Sequence, residues 1–215
     1  MAEEKSSWYE IGFGGLPKAE AEATKRGIWS FFVPRGESKE VIFLDKDPFC
    51  FYEHSIKIGE SYGNNFVCLQ GISPRCPFCE KDPRSRHYVG YWTVLDLTGF
   101  TGKDGKKYRN MRLLFQAKPQ VLKKLKLKIE NRLGGDISRA KFLISRSDDP
   151  KAPRVGDDFE FIEKVPEEKL VDKDGKPLKA FDYKTIFVPL TLEQAISTLE
   201  EEMELSDSPE EEIVY

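Results

Sequence analysis

Histidine is scarce in this chain of 215 residues: there are two, at positions 54 and 87, against 34 basic and 37 acidic side chains. The metalloprotease pattern HExxH is accordingly absent. So is the phosphate loop, because Gly12-Phe13-Gly14-Gly15 is glycine-rich but lacks the GxxxxGK spacing followed by Ser or Thr. No hydrophobic run is long enough to cross a bilayer, and the opening Met1-Ala2-Glu3-Glu4-Lys5 carries no signal-peptide pattern. The expected location is the cytoplasm, whose reducing state favours metal-bound thiolates over disulfides for the four cysteines. No internal repeat is visible. Residues 200 to 215 hold no basic side chain and eight acidic ones, so with a net charge of −3 the first 199 residues carry +5. A basic body suits a polyanionic partner, and an acidic tail has the composition of a disordered interaction segment.

The cysteines that are present are concentrated. His54 is followed after thirteen residues by Cys68, and after seven more by Cys76-Pro77-Phe78-Cys79. Two cysteines separated by two residues turn both sulfurs toward one point, and a further Cys and His complete a tetrahedron. Three thiolates and an imidazole with no open position point to a structural zinc ion rather than a catalytic one. A redox pair explains Cys76 and Cys79 but leaves Cys68 and His54 without a role. The fourth ligand stays open on spacing alone, since Cys50 and His87 lie close enough to compete with His54. Cys50 sits in the apolar run Pro48-Phe49-Cys50-Phe51-Tyr52, which suits a core-facing thiol.

A chain of this length buries one good core, and the expected organisation is one domain over 1–199, with a zinc-binding insertion at about 50–87, followed by the tail 200–215. Leu16 to Ala23 predicts a short helix closed by Gly27. Ile28 to Val33 and Val41 to Leu44 predict strands, the first with Trp29, Phe31 and Val33 on one face. Tyr88 to Leu97 is the clearest strand, and Gly102 to Lys106 turns it into a second, Tyr108 to Phe115. Leu122, Leu125, Ile129 and Leu133 recur at helical spacing after Pro119 and stop at Gly134-Gly135. Lys141 to Ser145, Phe159 to Ile162 and Phe181 to Phe187 predict short strands. Thr191 and Gln194 form a capping box for a last helix. The fold expected is mainly β with helical insertions, an antiparallel barrel or sandwich, and five strong strands fit an OB barrel.

Aromatics interleaved with cations along the hairpin have the composition of a single-strand-binding surface, where rings stack on bases and cations follow the backbone. Trp29, Tyr88, Tyr91 and Trp92 are the candidate stacking residues; Arg84, Arg86, Lys106, Lys107, Arg109 and Arg112 are the candidate phosphate contacts. The competing expectation is that Tyr91 and Trp92 belong to the core.

His54, Cys68 and the terminal CxxC, followed at once by an aromatic strand and a basic hairpin, make the chain resemble the zinc-containing single-stranded DNA-binding proteins of T-even-like tailed phages. The resemblance covers residues 28 to 215 in the order of their features. It implies His54, Cys68, Cys76 and Cys79 as zinc ligands and an OB-fold core. It also implies a non-enzymatic role in phage DNA replication, recombination and repair in the bacterial host cytoplasm. An acidic C-terminal segment would meet replication and recombination proteins, here through Glu210, Glu211, Glu212 and the terminal Tyr215. Self-association on DNA belongs to the same family, although Met1 to Ser7 is not basic as that family's N-terminal arm is. The tail is expected to lie across the basic groove when DNA is absent. The alternatives are a zinc-stapled adaptor that binds only protein, and a zinc-dependent nucleic-acid enzyme. A deaminase would need His-x-Glu and Pro-Cys-x-x-Cys, whereas Ser55-Ile56 follows His54 and Arg75 precedes Cys76.

Overall fold

The structure is a computed structural model and describes residues 28–58, 61–102 and 105–206. The expected helix over 16–23 and the tail residues Glu210, Glu211, Glu212 and Tyr215 lie outside the described residues. The fold is mainly β with a few helices, organised as an open antiparallel sheet.

The central element is β4 (Arg86–Asp96), whose β-branched and aromatic residues suit a strand covered on both faces. One edge of β4 is shared by two strands that run in the same direction. β2 (Phe49–Ile58) pairs with Arg86 to Tyr91, and β1 (Ser38–Phe43) pairs with Val94 to Asp96. They amount to one strand broken over 44–48. At the break the carboxylate of Asp45 accepts from the Thr93 amide and from the Tyr183 hydroxyl, replacing the backbone acceptor that an unbroken strand would offer.

The other edge of β4 pairs with β7 (Met111–Ala117), the hairpin read from the sequence. Its connection carries a small two-stranded sheet of β5 (Phe100–Thr101) and β6 (Lys107–Tyr108). Beyond β1 lie β8 (Ala140–Ser145) and β9 (Asp158–Lys164), and β3 (Ser61–Val67) forms a hairpin with β2. The path through the main body is β7-β4-β1-β8-β9. No sheet closes on itself among the described residues.

The expected strand over 28–33 is reduced to one parallel bridge, Ser30 to Leu114, flanked by hydrogen bonds from Phe31 N to Leu114 O and from Leu114 N to Trp29 O. Phe31 and Val33 are buried, while Trp29 and Phe32 remain exposed.

Between β7 and β8, α2 (Pro119–Leu133) has the bounds its punctuation implies. Pro119 opens it, where a missing N–H costs nothing, and Gly134 closes it in the left-handed region at φ 61°. It presses Val121 and Leu125 onto a core of Phe43, Trp92, Phe115 and Phe142. The opposite face of β4 is covered by chain from the far end of the sequence. Tyr183 and Phe187 pack against Phe49, Phe51 and Tyr91, and Leu170 packs against Ile42 and Leu95. The expected strand 181–187 is instead a helical turn, α3 (Tyr183–Ile186), capped by the Asp182 carboxylate. Period two and period 3.6 coincide in so short a run; Tyr183, Ile186 and Phe187 share a helical face and bury together.

Candidate metal centre and basic groove

His54 sits on β2 opposite Arg86 on β4 and Phe66 on β3, on the face away from Glu53. Cys68 follows β3 and is tied back by its N–H to Tyr52 O at 2.8 Å. Cys76 is the N-cap of α1 (Pro77–Lys81), with Pro77 at its first position and Cys79 in its first turn. One turn of helix brings both sulfurs to the same side. The donor atoms of His54, Cys68, Cys76 and Cys79 all lie within 4.8 Å of one another and can hold a metal ion.

The separations fit tetrahedral coordination. Bonds of about 2.3 Å to sulfur and about 2.0 Å to nitrogen place donors roughly 3.5–3.8 Å apart. Cys68 Sγ and Cys79 Sγ are 3.7 Å apart, and His54 Nε2 is 3.6 Å from Cys76 Sγ and 3.4 Å from Cys79 Sγ.

The protonation pattern also suits an ion. Ser85 Oγ spends its hydrogen on Asp82 O at 2.7 Å, so it accepts from His54 Nδ1–H at 2.8 Å, leaving the Nε2 lone pair facing the sulfurs. Burial, then the neighbouring Arg86 and His87, lower the His54 pKa and keep the ring neutral. Burial works to raise the Cys68 thiol, but the Gln70 amide and the Arg86 guanidinium outweigh it and bring the pKa down. Burial and the adjacent thiols push Cys79 up to about 12. Four negative or lone-pair donors so close together are costly until a cation joins them.

The alternatives for the fourth ligand fall elsewhere. Cys50 hydrogen-bonds the Tyr88 hydroxyl, which raises that phenol's pKa. His87 lies on the other face of β4 and donates from Nε2 to Glu53 at 2.9 Å and from Nδ1 to Ser85 O at 3.0 Å. Glu53 also accepts from Tyr91 Oη at 2.8 Å and Gln116 Nε2 at 2.7 Å. The Glu53 hydrogen bond is the chief cause of the raised His87 pKa.

The ten candidate nucleic-acid contacts do not form one surface. Trp92 is 1 % exposed and lies against Phe43 and Phe115, and Tyr91 is 5 % exposed with its ring 4.3 Å from Phe187. Neither can stack a base, because α2 and the 181–187 segment cover both faces of β4. Tyr88 is exposed and meets Tyr52 edge-on. Arg86 lies over the Tyr52 ring and donates Nε to Cys68 Sγ at 3.3 Å. Arg84 is exposed beside Asp82. Those residues sit at the start of β4; the others lie at its end, roughly 30 Å away along eleven residues. There Trp29 packs on Phe100 and Tyr108, with Lys106, Lys107 and Arg109 exposed nearby in sequence. Arg112 donates to Lys179 O at 2.9 Å.

A cavity of about 590 Å³ gathers residues outside that set: Phe32, His87, Gln116, Lys118, Lys151 and Arg154. No acidic residue lines it. The sequence held a faint signal in Lys151-Ala152-Pro153-Arg154, two cations in a stiff loop, but nothing in it joined that loop to Lys118 or to Phe32. Tyr52 also went unread, since its pairing with Tyr88 depends on strand register. Comparison of the chain with family models, with curated proteins and with solved structures finds no match in any of the three.

Proposed function

We propose that this protein binds single-stranded DNA without strong sequence preference and without catalysis, around a structural zinc ion, in phage DNA replication, recombination and repair. The observation that carries the reading is the basic groove: Lys118, Lys151, Arg154 and an exposed phenylalanine around a cavity with no acidic residue in its lining. Lys118, Lys151 and Arg154 would take phosphates, and Phe32, 40 % exposed, offers a ring to a base. Tyr52 and Tyr88, exposed beside the metal centre, provide a further aromatic surface. Zinc is the ion of choice for three sulfurs and one imidazole nitrogen at tetrahedral separations. Its part is to hold the β2–β3 hairpin and α1 together.

The strand order supports an OB-type core. Five strands run β7-β4-β1-β8-β9 with a helix between β7 and β8, and the 29–31 segment bridges the outer edge of β7. The acidic tail is the segment we assign to replication and recombination partners.

The test is a fluorescence titration of the intrinsic tryptophans with oligo-dT and with duplex of equal length at two salt concentrations. Strong quenching by the single strand, a weak duplex response and a steep salt dependence are expected. No response to either refutes the reading and leaves a zinc-stapled protein adaptor.

A further inference from the structure

Lys39 and Asp96 are both buried, and they line neither the metal centre nor the basic groove. Lys39 stands on β1 and Asp96 at the end of β4. The ammonium donates to Asp96 Oδ2 at 3.0 Å, and Asp96 Oδ1 accepts from the Gly99 amide at 2.9 Å, so the carboxylate is held at both oxygens. Three rings surround the same ammonium. Their centroids lie 5.2 Å away for Phe32, 5.6 Å for Phe100 and 5.7 Å for Phe31, all within reach of a cation–π attraction. Phe31 is buried, whereas Phe32 is exposed and lines the groove, so its ring reaches from the buried ammonium to the basic surface.

Stability gives little reason for such a pair, because taking two charges out of water offsets most of their attraction and apolar residues of similar volume often serve as well. Position gives a better one. The backbone on either side of Phe32 is pinned, Phe31 N–H to Leu114 O at 2.7 Å and Val33 N–H to Arg154 O at 2.8 Å. Those bonds leave the Phe32 side chain free to rotate, and an exposed ring that must be ordered each time it stacks on a base weakens binding. An ammonium fixed by Asp96 attracts the electron-rich face of the ring and settles it before a ligand arrives.

We propose that Lys39, held by Asp96, is a positioning residue for single-strand binding: it presents the Phe32 ring to a base in the groove without itself touching DNA. This role rests on the single-strand reading above and adds to it the group that preorganises the stacking ring.

The test measures the affinity of the full-length, metal-loaded protein for oligo-dT, by anisotropy of a labelled strand at several salt concentrations. It compares wild type, Phe32→Leu, the charge-free pair Lys39→Met with Asp96→Leu, and all three substitutions together. Phe32→Leu is expected to weaken binding about fivefold or more, the loss of one stacked base. The charge-free pair is expected to weaken it about threefold or more. Its salt slope stays at the wild-type value, because no phosphate contact is removed. On the Phe32→Leu background the same pair is expected to cost nothing further, since no ring is left to place. A pair with a merely structural role gives a loss of one size with or without Phe32→Leu, and that result overturns the positioning role. So does wild-type affinity in the charge-free pair, or wild-type affinity in Phe32→Leu. If the charge-free pair fails to fold, Lys39→Gln with Asp96→Asn removes the charges, keeps the hydrogen bond and takes its place in the cycle. A wild-type protein that binds no oligo-dT refutes the single-strand reading and this role with it; wild-type binding combined with any of the overturning results refutes the role alone.

Discussion

On the zinc reading proposed above, stripping the metal should unfold one part of this protein and spare the rest. The ligands lie in an apolar cluster of Leu69, Phe78 and Ala195, flanked by Ile56, Phe66, Leu190 and Leu199, which is separate from the main core of Phe43, Trp92, Phe115 and Phe142. Ala195, Leu190 and Leu199 bring in the last helix, α4 (Leu192–Ser206), and its neighbour segment. Ordering the eighteen residues from Cys68 to Ser85 costs about 1 kcal/mol each at the low end, roughly 18 kcal/mol in all. Burying Leu69 and Phe78 returns about 3–6 kcal/mol. The shortfall of about 12–15 kcal/mol matches what a structural zinc ion supplies, about 10–16 kcal/mol at neutral pH. Hydrogen exchange by mass spectrometry, with and without chelator, reads this directly. Peptides spanning 68–85 and 190–200 should lose at least about a thousandfold in protection, the equivalent of roughly 4 kcal/mol, while β4, β7 and β8 keep theirs. Cys76→Ser should reproduce the pattern without chelator. Unchanged protection over 68–85, with metal shown to be absent by elemental analysis, would refute the reasoning. So would a uniform collapse of the whole chain.

Three further outcomes are expected. Lys39 and Asp96 form a buried pair at 3.0 Å with side-chain exposures of 5 % and 0 %. Asp96→Asn, which strands the ammonium, should cost about 3–5 kcal/mol in urea unfolding, whereas Lys39→Met combined with Asp96→Leu should cost far less. His87 has its folded pKa raised, principally by Glu53, so its contribution is complete below the unfolded value of about 6.5 and is lost as pH rises through the folded one. Unfolding midpoints should fall over that window in the native chain, and Glu53→Gln should flatten the fall. Lys151→Ala and Arg154→Ala should each lower the salt slope of oligo-dT binding by about 0.7, the share of one phosphate on a single strand, and slopes equal to wild type would place the phosphates elsewhere.

The sequence by itself determined what depends on neighbours along the chain. Pro119 and Gly134 bounded α2. Thr191 and Gln194 cap α4 reciprocally, at 2.9 and 3.2 Å. Cys76 and Cys79 were paired by one helical turn. What it left open depends on strand parity and on elements far apart in the chain. Whether His54 alone or His87 as well meets the sulfurs turns on a register in which Glu53 faces His87, and a one-residue slip of β4 would put His87 on the face of His54. Tyr91 and Trp92 had the composition of a binding surface, yet two covers from beyond residue 117 bury both faces of their strand. The basic groove needed tertiary structure outright, since Phe32, His87, Lys118 and Arg154 meet only once the sheet and its loops are folded. Local chemistry writes caps and turns into adjacent residues; a surface is written by which distant segments the core draws together.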